Sequence, residues 1–67
     1  MVKVRFSASG FSCTIYEYAN EESARAAMLA DAREVADEHG GKAAEAGDEI
    51  VVARPSGDEI ARWEMRR

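Results

Sequence analysis

The chain has 67 residues, 46% hydrophobic and 33% charged, with thirteen acids against nine bases and a formal charge of −4. A domain this short buries about 60% of the surface its unfolded chain exposes, and it has no room for a large pocket between two layers. The acidic balance disfavours nonspecific nucleic-acid binding, which rests on neutralising phosphates, and a single cysteine excludes an internal disulfide.

Val2, Val4, Phe6 and Ala8 alternate with Lys3, Arg5 and Ser7, the period of a half-buried strand. The same alternation is unlike the continuous apolar stretch of a signal peptide. No segment reaches the roughly 20 apolar residues of a membrane span, so the expected compartment is cytoplasmic. Ser9-Gly10 reads as a hairpin turn, with glycine free to take positive φ. After it, Phe11, Cys13 and Ile15 alternate with Ser12, Thr14, Tyr16 and Tyr18. Phe11, Cys13 and Ile15 are expected to point to the core, and 2–18 to form a first hairpin.

Asn20 is a suitable N-cap, and Glu21 and Glu22 place negative charge on the first turn, where the helix dipole favours it. The run that follows contains neither Gly nor Pro, which predicts a helix over 20–39. Its buried stripe is Ala24, Met28, Ala32, Val35, Ala36 and His39, with Leu29 at the edge. Asp31 falls near that stripe and is expected at its rim, beside an arginine. Gly40 suits the left-handed position after the last turn. Residues 40–47 read as a link, long for a helix-to-strand connection.

Residues 48–66 predict a second hairpin, with strands at Ile50–Ala53 and Ile60–Met65 around a turn at "RPSGD". Two registers compete. A four-residue loop (55–58) pairs Val52 with Ala61 and Ile50 with Trp63, while a three-residue loop pairs Val51 with Ala61. The first is preferred, because it gathers Ile50, Val52, Ala61, Trp63 and Met65 on one face. The tetrapeptide Gly-Asp-Glu-Ile occurs twice, at 47–50 and 57–60. In this register its two isoleucines face opposite ways, so each copy reads as a strand start rather than as one binding element used twice.

The expected fold is α+β: ββαββ, a four-stranded, mainly antiparallel sheet with one helix on one face, in a single domain. The open face would carry Lys3, Arg5, Thr14, Tyr16, Tyr18, Val51, Ala53, Ile60 and Arg62.

Catalysis is not expected. Cys13 is read as a small core hydrophobe, His39 as a helix-terminal residue, and one Cys with one His cannot build a usual zinc site. No cofactor or metal is expected. Gly40-Gly41-Lys42 follows a helix, whereas a phosphate-binding loop precedes one.

The leading expectation is a non-catalytic protein-binding module, with another protein or a second copy as partner. It would act through the open sheet face, or through the acidic helix at Glu34, Asp37 and Glu38. Tyr16 and Tyr18 beside Lys3, Arg5 and Arg62 resemble the stacking surfaces that bind single-stranded RNA or DNA, which gives the alternative reading. A structural or designed domain with no ligand is a third. In size, charge and compactness the chain is similar to phage-encoded inhibitors of host nucleases, including some anti-CRISPR proteins. By analogy, an accessory inhibitor would use its carboxylates as phosphate mimics.

Overall fold

The computed structural model describes residues 1–8 and 13–66. Its elements are β1 (Val2–Ala8), β2 (Thr14–Tyr18), α1 (Glu21–His39), β3 (Lys42–Ala46), β4 (Glu49–Ala53) and β5 (Glu59–Arg66). The expected turn at Ser9-Gly10 and the inward position of Phe11 lie outside the described residues.

All five strands form one sheet in the order β2-β1-β5-β4-β3, with every neighbouring pair antiparallel. The α+β class is as expected, but the count is not: among the described residues the arrangement is ββαβββ, with five strands rather than four. The extra strand, β3, occupies the stretch read as a link. Its sequence, KAAEA, favours helix over strand, so no local signal marks it. Pairing imposes the extended state. Ala46 pairs with Glu49 across the two-residue turn Gly47-Asp48, and Lys42 pairs with Ala53 at the far end. Gly47 has φ 60° and Asp48 does not share a positive φ. That is the type II′ pattern, whose twist matches the flanking strands.

The helix begins and ends as its caps dictate. Asn20 Oδ1 accepts a hydrogen bond from the Ser23 N–H at 2.8 Å, and Gly40 takes a left-handed φ of 65°. The helix joins the two edge strands and packs on one face of the sheet. Ala24, Ala32 and Ala36 bring it close, and Met28 fills the contact. The sheet supplies the rest of the core: Val2, Val4, Ile50, Val52, Ala61, Trp63 and Met65. The preferred strand pairs hold, with Val52 opposite Ala61 and Ile50 opposite Trp63, but the loop does not have the four residues expected: the Arg54 N–H donates to the Asp58 carbonyl at 2.9 Å, which leaves a three-residue loop, 55–57.

Two details of direction differ from expectation. Between Val52 and Ala53 the β4–β5 register shifts, so that Ala53 pairs with Glu59 and Ile60 is the extra residue of a bulge. Ile60 therefore follows Ala61 to the helix side and packs against the core. It does not point to the open face. The second difference is in β2, where Val2 pairs with Tyr18, Val4 with Tyr16, and Phe6 with Thr14. Directly paired residues share a face, so Thr14, Tyr16 and Tyr18 lie on the helix side. Ile15, paired with Arg5, lies on the open side. Cys13 is likewise exposed rather than in the core, its Sγ 3.2 Å from Arg5 Nη2.

Candidate functional site

The open face retains Lys3, Arg5, Val51, Ala53 and Arg62 from the expected set, and loses Thr14, Tyr16, Tyr18 and Ile60. Its centre is a lattice of ion pairs. Arg62 reaches Glu49 at 2.6 Å and Glu59 at 2.7 Å, Arg5 reaches Glu64 at 3.4 Å, and Arg66 reaches the same carboxylate at 3.6 Å. Glu49 and Glu64 are directly opposed across β4 and β5, a like-charge pairing that these arginines offset. The hydrogen bond to Glu59, the charge of Glu59, and that of Glu49 hold the Arg62 guanidinium above its ordinary value. At one side of the lattice, Ala44, Val51, Ala53 and Pro55 line a shallow hollow of about 410 Å³.

The tyrosines and the cations thus stand on opposite sides of the sheet. The structure does not bring Tyr16, Tyr18, Lys3, Arg5 and Arg62 together as one stacking surface, and Arg5 and Arg62 are already engaged with carboxylates. Cys13 and His39 are also separated by the sheet: Cys13 contacts Arg5 on the open side, while His39 lines a cleft under the helix. Among the described residues, no group of three His, Cys, Asp or Glu is placed to hold a metal ion. Among these residues, too, no helix is long and apolar enough to cross a membrane.

The helix side carries a different set. Phe6 and Val35 are shared by two adjoining hollows. One, about 310 Å³, is bounded by Ala8, His39, Arg54, Glu59, Ile60 and Ala61. The other, about 230 Å³, is bounded by Tyr16, Asp31 and Trp63. The Phe6 and Trp63 rings lie 5.1 Å apart at 46°, forming the floor. Burial, then the charge of Asp31, raises the Tyr18 phenol above its usual 10.0. Asp31, expected beside an arginine, forms no ion pair among the described residues. It is exposed, on the flank of α1 that overlooks β2.

Glu38, seven residues after Asp31, lies nearly in line with it on that flank, and Glu34 stands about 60° further round toward solvent, between the flank and Asp37. Asp37 points away from the sheet, half a turn round from Met28. Glu34, Asp37 and Glu38 are exposed, and none of them enters an ion pair among the described residues. The helix cations turn elsewhere. Arg25 donates to the Gly47 carbonyl at 3.1 Å and to Asp48 at 3.3 Å, and Arg33 lies about 200° round the helix from Asp31.

The sheet edges differ in kind. β3 is exposed throughout but presents alanines with Lys42 and Glu45, the blunted chemistry of an edge that does not pair. β2 reads TIYEY. Among the described residues the exposed large apolar side chains are Met1, Ile15 (61%) and Tyr16 (46%). Two of these three lie side by side on β2, one on each face. The sequence contained this signal in the β-branched and aromatic run, but its placement at an edge follows only from the strand order. No family model, curated protein or solved structure matches the chain.

Proposed function

We propose that the protein is a non-catalytic protein-binding module that recognises an extended segment by adding it as a sixth strand along β2. The observation that carries this reading is the exposure of Ile15 and Tyr16 on the two faces of one edge strand. A partner resting on the open face would cover Ile15 and leave Tyr16. One resting on the helix would do the reverse. A strand laid against β2 covers both and satisfies the outward backbone groups of the edge at the same time. The ion-paired centre of the open face favours a solvated surface over a second docking site.

The test is selection of binders from a random peptide display library, followed by amide-exchange mapping of the selected peptides. Strand addition predicts protection of alternate amides within Thr14–Tyr18. It also predicts loss of binding in Ile15→Lys and Tyr16→Lys variants whose circular dichroism is unchanged. Peptides that instead protect β4 or perturb Val51 and Ala53 would overturn it in favour of the open face.

A further inference from the structure

We infer that the segment added along β2 is basic, with Lys or Arg at the positions facing the helix and apolar residues between them. This deepens the reading above and rests on it. A residue placed opposite Tyr16 shares its face, which is the side of Asp31 and of the hollow floored by Phe6 and Trp63. A cationic side chain there meets the Tyr16 ring and the Asp31 carboxylate together, an arrangement that stabilises positive charge twice over. Glu34 and Glu38 extend the same flank. None of these three carboxylates has an ion-pair partner among the described residues, and Arg25 is committed to the β3–β4 turn. On the other face of the added strand, the neighbouring residues lie alongside Ile15, whose exposure calls for an apolar contact.

The same chemistry argues against a second copy as the occupant. β2 itself contains no Lys or Arg and offers Thr14, Tyr16 and Tyr18 to the helix side. Antiparallel pairing of two β2 strands would also place both acidic helix flanks on one side of a continuous sheet, each facing the other.

The experiment titrates the intact protein with three synthetic hexapeptides: alternating Lys-Val, alternating Glu-Val and alternating Thr-Val. Lys-Val is expected to bind with protection of alternate β2 amides and to weaken as salt rises. In the combined variant Asp31→Asn, Glu34→Gln, Glu38→Gln, its affinity should fall by at least about tenfold. If Glu-Val or Thr-Val binds β2 as tightly as Lys-Val, or if the variant binds unchanged, the basic preference is overturned while strand addition stands. Concentration-dependent dimerisation through β2 would also overturn it, in favour of a second copy. If no peptide protects β2 and the protein remains monomeric, both readings fall.

Discussion

Gly41 has no room for a side chain. A Cβ built there would lie 2.6 Å from the Ala53 carbonyl oxygen and 3.2 Å from Ile60 Cδ1. The first of these is a backbone atom held in the β3–β4 ladder, so it cannot swing aside. Gly41→Ala should destabilise the fold by about 1–3 kcal/mol, the usual range for forced overpacking, measured by urea unfolding. A neutral result would mean that the chain leaving α1 has slack.

Tyr18 gives a second test at this scale. Its phenol is raised by burial and by Asp31, so the folded state holds the proton more tightly than the unfolded chain does. Stability from this source is complete below pH 10 and declines as pH rises through the unfolded value toward the folded one. Urea midpoints at about pH 9 and about pH 11 should therefore differ more in the parent than in Tyr18→Phe. Equal differences would show that Tyr18 ionises alike in both states.

At the level of elements, α1 depends on its ends because its buried face is mostly alanine and contributes little area per residue. Removing the side-chain acceptor with Asn20→Ala should cost about 1 kcal/mol, against a total of roughly 3–10 kcal/mol for a domain of this length. Thermal unfolding followed by helix ellipticity would show it. The caps at Asn20 and Gly40 were legible in the sequence because capping is local: one side chain, one backbone angle. The inward set Ile50, Val52, Ala61, Trp63 and Met65 was legible for a related reason, since one register alone buries the large residues.

β3 was not legible. Nothing in KAAEA favours a strand, and its extended state exists because β4 offers an unpaired edge across the Gly47-Asp48 turn. The first Gly-Asp-Glu-Ile is thus a hairpin turn in its own right. The direction of β2 was ambiguous for another reason. Cys13 and Ile15 are as plausible inside as Tyr16 and Tyr18, and only the pairing with Val2 and Val4 decides. That decision relocates the candidate site, moving both tyrosines from the open face to the side of the helix. Ile60 was misplaced by a single bulged residue, which periodicity cannot see.

Across the whole molecule, charge is distributed unevenly. The centre of the open face pairs Arg5, Arg62 and Arg66 with carboxylates, whereas the helix flank above β2 leaves Asp31, Glu34 and Glu38 without partners among the described residues. Such an arrangement is not what stability alone would select. Glu38 stands in the last turn of α1, where the exposed carbonyls make the helix end negative, and another carboxylate lies four residues before it at Glu34. Glu38→Gln should therefore stabilise the fold by about 0.3–1 kcal/mol at low salt, with the gain shrinking as salt screens the repulsion. The same substitution should weaken binding of a basic peptide at β2. Opposite signs in one variant, tighter folding with poorer binding, are what a charge kept for recognition produces. A loss of stability in Glu38→Gln would show that the carboxylate holds the fold together, and would remove the helix flank from the argument.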